Sequence, residues 1–303
     1  TFVSVSGLAA LAAASGVPAL AQESASPVAS IGSLPGQNPL QDSPVVSSPS
    51  PESITILQPL ACHATGYLEY AVGDGPFQRV DAAHAGLLPF EGRVLKFRLP
   101  PLPHGATISY RITARTIGWV PVGQRVHGRI VSGEPVVGPV HRFKTLDAAA
   151  ETTRFIVWND THENLETLRK LHALTEAASP DFLLWNGDQT NDVHFEKEMI
   201  KQFLAPDGLA VAARWPLAYV RGNHDVRGPK ARRVPDFTGT PEDRFYYAFR
   251  SGPVAAVVMD TGEDKPDDSH YYGGLAAFQP FREEQAAWLA NVIKEPWFRS
   301  APH

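Results

Sequence analysis

The sequence predicts two folded domains of different class in tandem, an all-β sandwich over residues 53–147 and a layered α/β domain over residues 151–303. Two observations carry this expectation. In the first stretch short alternating apolar runs are separated by Pro and Gly, and in the second apolar strands alternate with segments of helical period. A chain of 303 residues, 43% hydrophobic and 19% charged, is long and apolar enough for two packed cores.

The first 21 residues are small and apolar, carry no charge and end in Ala19-Leu20-Ala21 before Gln22. This is the pattern of a signal-peptide core with its cleavage site. The Ser, Gly and Pro content and the modest length argue against a membrane helix. There is no initiating Met and no basic segment ahead of the core, so the chain is expected to begin inside the signal. Thr1-Phe2-Val3-Ser4 resembles the segment that follows the Arg pair of a twin-arginine signal, so a periplasmic or secreted location is expected. Residues 22–52 are dominated by Ser, Pro, Ala and Gly and read as a flexible linker without chemistry.

The sandwich strands are expected at Ile54–Leu57, Gly66–Tyr70, Val94–Leu99 and Ile108–Ile112, with a last strand in His141–Leu146. Leu99-Pro100-Pro101-Leu102-Pro103-His104-Gly105 followed by Ile108-Ser109-Tyr110-Arg111 resembles a corner of a fibronectin type III-like domain, and His141-Arg142-Phe143-Lys144 resembles its closing strand. That fold hosts many functions and implies none. His63, His84, His104, His127 and His141 fall in this domain at no metal-ligand spacing.

In the second domain strands are expected at Phe155–Trp158, Phe182–Trp185 and Leu217–Val220. Helical segments are expected at Asn164–Ala178, with Leu165, Leu168, Leu171 and Leu174 on one stripe, and around Phe195–Phe203. A hairpin follows over Arg244–Met259, and a last helix over Arg282–Ile293 with Ala286, Leu289 and Ile293 inward. Behind the three strands stand Asp160-Thr161-His162, then Gly187-Asp188, then Gly222-Asn223-His224-Asp225. Ligands of open α/β sheets gather beyond the carboxyl ends of the strands, so the three segments are expected to converge. Carboxylate, amide and imidazole donors suit Mn, Fe or Zn. The single cysteine, Cys62, excludes a thiolate cluster and an internal disulfide framework. A net charge of −5 and a pI near 6.1 give no reason to expect a nucleic-acid surface or an anionic-membrane surface. No transmembrane segment is expected beyond the signal, and the oligomeric state is left open.

The ordered set D-x-H, G-D, G-N-H-D resembles the signature of the calcineurin-like metallophosphoesterases. The resemblance implies an αββα layered domain and two divalent or trivalent metal ions. It implies that Asp160 and His162 hold the first metal, Asp188 bridges both, and Asn223 holds the second. His224 is then the proton donor to the leaving group, oriented by Asp225, and the substrate is a phosphomonoester or phosphodiester.

A preceding sandwich is similar to the layout of purple acid phosphatases. Those have Gly where His162 stands and a metal-binding Tyr where Asn191 stands, so a colourless relative is expected. Asn191 and Asp192 are candidates for the site's edge, or for turn and cap roles. The family completes its site with a later His and a Gly-His-x-His pair. After His224 this chain has only His270, which reads as a surface-loop residue, and His303, so the C-terminal part of the domain is expected to be missing. The competing reading is a cell-surface binding protein on a degenerate phosphoesterase scaffold.

Overall fold

The structure is a computed structural model that describes residues 31–32, 36–120 and 129–303. The signal segment 1–21, much of the linker and His127 lie outside the described residues. Among the described residues no helix is long and apolar enough to cross a membrane.

The first half contains β1 (Ile31–Gly32), β2 (Val45–Ser47), β3 (Thr55–Pro59), β4 (Ala64–Val72), β5 (Gln78–Asp81), β6 (Val94–Arg98), β7 (Thr107–Val120), β8 (Arg129–Ser132), β9 (Val136–Val137) and β10 (His141–Lys144). The second half contains β11 (Phe155–Asn159), α1 (Leu165–Ala178), β12 (Phe182–Asn186), β13 (Leu217–Val220), α2 (Pro235–Thr238), β14 (Tyr247–Ser251), β15 (Val254–Val258), α3 (Phe278–Val292) and α4 (Pro296–Arg299). A β sandwich followed by an α/β domain is thus observed.

One sheet of the sandwich is built on the long β7, which pairs with β1, β4, β8, β9 and β10, with β5 outside β4. The other sheet is β2-β3-β6, and it does not end at the domain boundary. Ser47 on β2 pairs in parallel with Leu217 on β13, giving one continuous sheet in the order β11-β12-β13-β2-β3-β6. Successive side chains of a strand point to opposite faces. Val46 and Ile56 therefore enter the sandwich core with Phe97, Tyr110 and Phe143, while Val45 and Leu57 enter the α/β core with Trp158, Trp185 and Tyr219. This corrects the linker reading for its last part. Val45–Ser47 is a fully buried strand, because a two-sided apolar pair flanked by Ser is enough to fill a gap between two cores.

In the α/β domain the parallel strands β11, β12 and β13 carry α1 on one face and the β14–β15 hairpin on the other. On the hairpin side Phe182 and Ala218 pack against Tyr247, Phe249 and Val258. α3 lies outside the hairpin, with Trp288 edge-on to Tyr246 at 5.0 Å. Asn164 caps α1, its side chain accepting from the Thr167 N–H at 3.0 Å.

The expected leucine stripe on α1 is only partly right. Residues three apart drift around a helix of 3.6 residues per turn, so Leu168 is buried and Leu171 partly so, while Leu174 is 65% exposed. Thr175 takes the inward position instead and accepts a hydrogen bond from the Trp158 indole at 3.0 Å. On α3 the inward residue is Gln285, with Ala286 and Ile293 exposed. Residues 195–204 form a 3₁₀ turn and one wide turn rather than a regular helix.

Candidate metal centre

The parallel sheet ends its three strands on one rim, and the loops beyond them are tied by main-chain hydrogen bonds. Asp160 N–H donates to Gly187 O at 3.2 Å, His162 N–H to Asp188 O at 2.9 Å, and Glu163 N–H to Gln189 O at 2.9 Å. Gly187 N–H donates to Val220 O at 3.0 Å, joining the second loop to the third. The chain turns back on itself tightly here. Asp160, His162, Glu163 and Asp188 all have positive φ, between 45° and 58°, a conformation that non-glycine residues rarely adopt.

Gly222 is required by space. A Cβ there would collide with the Asp188 carboxylate and main-chain nitrogen.

These loops bring the expected donors together. His162 Nε2 lies 2.9 Å from Asp160 Oδ1 and 3.8 Å from Asp188 Oδ2. The ligand atoms of His162, Asp188 and His224 lie within 4.8 Å of one another. The two imidazoles meet edge to face, 4.6 Å between ring centres. Asp160, Asp188 and Asn223 line an open cleft of about 420 Å³. His270 and His303 are not brought to this cluster. His270 sits in a surface turn against Tyr271, and the His303 main chain pairs with Pro253 and Ala255 at the edge of β15.

The donor set fits metal ions. Two carboxylates and two imidazoles converge beside the cleft, and His162 Nδ1 is buried without a hydrogen-bond partner among the described residues. Asn223 gives its amide nitrogen to Glu263 Oε1 at 3.1 Å, which leaves its amide oxygen as a donor to a cation.

Asp225 does not orient His224. It is fully buried, and its carboxylate accepts from Gly222 N–H at 2.8 Å and Thr190 N–H at 3.3 Å. Burial pushes its carboxyl up to about 7, against the lowering effect of those main-chain donors. Asp225 thus clamps the third loop to the second. The His224 ring is positioned by the Asn191 carbonyl, 2.9 Å from Nδ1. A carbonyl only accepts, so Nδ1 carries the proton of that bond.

Residues the sequence did not single out complete the surroundings. Glu163 accepts from Thr190 Oγ1 at 2.9 Å, from Asn191 N–H at 3.2 Å and from Gln202 Nε2 at 3.2 Å, stapling the first loop to the second. Arg227 spans His224 Nε2 at 2.9 Å and Glu263 at 2.7 Å. Burial alone would raise the Glu263 carboxyl, but hydrogen bonds from Arg227, Asp264 and Asn223 outweigh it and hold the group well below the usual range. Arg221 and the buried Asp260 pair at 2.6 Å beneath the third loop. A Glu next to the D-x-H motif and an Arg three residues after the His were visible in the sequence. Nothing in their spacing separated them from solvated charges.

Strand-end loops that bring carboxylate, imidazole and amide donors together on one rim are the arrangement of a metallophosphoesterase domain. Residues 153–299, just under half of the chain, match the family model described as calcineurin-like phosphoesterase, and this domain is of the metallophosphoesterase kind. Among solved structures the chain is similar to a purple acid phosphatase isolated from yellow lupin (Lupinus luteus) seeds. The TM-score is 0.52 and the identity 13%, over 77% of this chain and 47% of that one. The chain therefore spans about half the length of that protein, and at this identity the likeness is one of fold. No curated protein matches the chain significantly.

Proposed function

We propose that the protein hydrolyses phosphomonoesters or phosphodiesters with two metal ions held by Asp160, His162, Asp188 and Asn223. The observation that carries this reading is the convergence of these four side chains and His224 from the ends of three parallel strands. Metal ions of the Mn, Fe or Zn type, when bound, supply Lewis-acid polarisation of phosphoryl oxygens and a water that ionises near neutral pH. Asp188, with one oxygen toward His162 and the other fixed by the His224 N–H at 3.0 Å, is held between the two halves of the donor set. Asp188 would be the carboxylate shared by the two ions when they bind.

His224 serves as the proton donor to the leaving oxygen. With Nδ1 tied to the Asn191 carbonyl, Nε2 is the nitrogen from which a protonated ring releases its proton. The Arg227 guanidinium occupies that hydrogen-bonding position here, and the leaving oxygen takes it over when substrate binds. The Arg227–Glu263 ion pair, at 2.7 Å, holds the guanidinium beside the ring.

The test is turnover of aryl phosphate mono- and diesters by the full chain loaded with Mn and after chelation. Metal-dependent hydrolysis of either class is expected. Absence of turnover in the loaded protein would favour a binding protein on a phosphoesterase scaffold. We also infer from residues 1–21 that the protein is exported, which cell fractionation checks by its appearance outside the cytoplasm.

A further inference from the structure

A second and larger cavity, of about 800 Å³, adjoins the metal cleft and shares Arg221 with it. Its size is that of a small-molecule site. It lies one hydrogen bond from the chemistry. Arg227, which touches His224, and Glu263, which touches Asn223, both line it.

The lining is basic although the chain is acidic overall. Arg221, Arg227, Arg232 and Lys265 face it against the single carboxylate of Glu263. Arg221 and Arg227 are matched by Asp260 and Glu263, and Lys265 lies 2.6 Å from Asp264. Arg232 differs: among the described residues its guanidinium bonds only the Leu275 carbonyl, at 3.3 Å. That leaves a forked cation at the wall with capacity for an anion.

The rest of the lining is aromatic. Tyr271, Tyr272, Phe278 and Phe281 face the cavity, and Tyr271 is 71% exposed. An aromatic wall with an unmatched cation suits a flat ring that also carries a charge.

We propose that this cavity receives the organic part of the phosphate ester, and that this part is an aromatic group bearing a second negative charge. The proposal rests on the phosphoesterase reading of the neighbouring cleft. The ring lies against Tyr271 and Phe281, and the second anion pairs with Arg232.

The test compares 4-carboxybenzyl phosphate with propyl phosphate, two esters of primary alcohols, in the Mn-loaded full chain and in Arg232→Gln and Tyr271→Ala. Binding of the product alcohol, 4-(hydroxymethyl)benzoate, is measured in parallel by calorimetry and needs no turnover. Wild type is expected to favour the aromatic ester by at least about tenfold in kcat/KM, and each variant to reduce that ratio by roughly two- to fivefold through KM, the size of one lost ion pair or ring contact at a partly exposed wall. The product is expected to bind wild type and to weaken in the same proportion. Equal use of both esters with no binding of the product would overturn the pocket while leaving the phosphoesterase intact. Product binding weakened by both variants without hydrolysis of either ester would uphold the pocket and remove the phosphoesterase reading.

Discussion

In the sandwich, β4 pairs along its whole length with β7, and Phe97, Tyr110 and Ile56 are sealed from solvent behind that ladder. At the strand ends of the α/β domain the chain instead holds Asp160, His162, Glu163 and Asp188 in left-handed conformations, crowds Gly222 against a carboxylate, and leaves His162 Nδ1 without a hydrogen-bond partner among the described residues. Conformations of this kind cost on the order of 1–3 kcal/mol each and persist only where the surroundings over-determine them. Here the surroundings are the Glu163 staple and the Asp225 clamp. The difference separates residues that make the fold from residues that the fold restrains for another purpose.

If that division is right, substitutions in the two regions should have separable effects. Phe97→Ala removes a fully buried ring from the sandwich core and should lower unfolding free energy by about 3–5 kcal/mol, with Mn affinity of the folded protein within about twofold of wild type. Denaturant unfolding and metal titration check both halves. Gly222→Ala should weaken metal binding by at least about 10- to 100-fold, or roughly 1.4–2.7 kcal/mol, because the new methyl displaces Asp188. An unchanged affinity would show that the crowding is incidental.

Asp160→Gly sharpens the comparison further. Its φ of 57° suits glycine, so the metal-free protein should be no less stable and should gain up to about 1 kcal/mol, while metal affinity falls. A loss of stability without metal would mean that the Asp160 carboxylate serves the fold.

The smallest effect concerns the seam. Burial tends to raise the Asp243 carboxyl, but Lys96 at 2.8 Å and Arg98 at 2.6 Å on β6 outweigh it and hold the group below its ordinary range. A depressed carboxyl stabilises the fold above its unfolded pKa and loses that contribution as pH falls through its folded value. Asp243→Asn should therefore cost less than about 1 kcal/mol at pH 7, since the side chain is 40% exposed, and nothing once acid has protonated the native Asp243. Unfolding midpoints of the pair as a function of pH test it.

The strands and the convergence of the polar segments behind them were legible because both are written locally. Phe155–Trp158, Phe182–Trp185 and Leu217–Val220 each announce a strand, and each group of candidate ligands stands directly behind one. What required the fold was anything set by distant contacts. Val45–Ser47 is too short and too polar in its neighbourhood to be read as a strand until a gap between β13 and β3 is known. The family resemblance implied that Asp225 orients His224, yet the carboxylate turns inward to Gly222 and Thr190. The Asn191 carbonyl that holds His224 is a main-chain group, which no residue pattern reports.

The central claim is that the rim beyond β11, β12 and β13 is a metal centre organised around Asp188. Calorimetric titration of the metal-free full chain with Mn, beside Asp188→Asn, tests it most directly. The account predicts saturable binding by wild type and a loss of at least about 100-fold in the variant, which keeps the shape of the side chain and removes its charge. Equal affinity in the two proteins, or no binding by wild type, would contradict it.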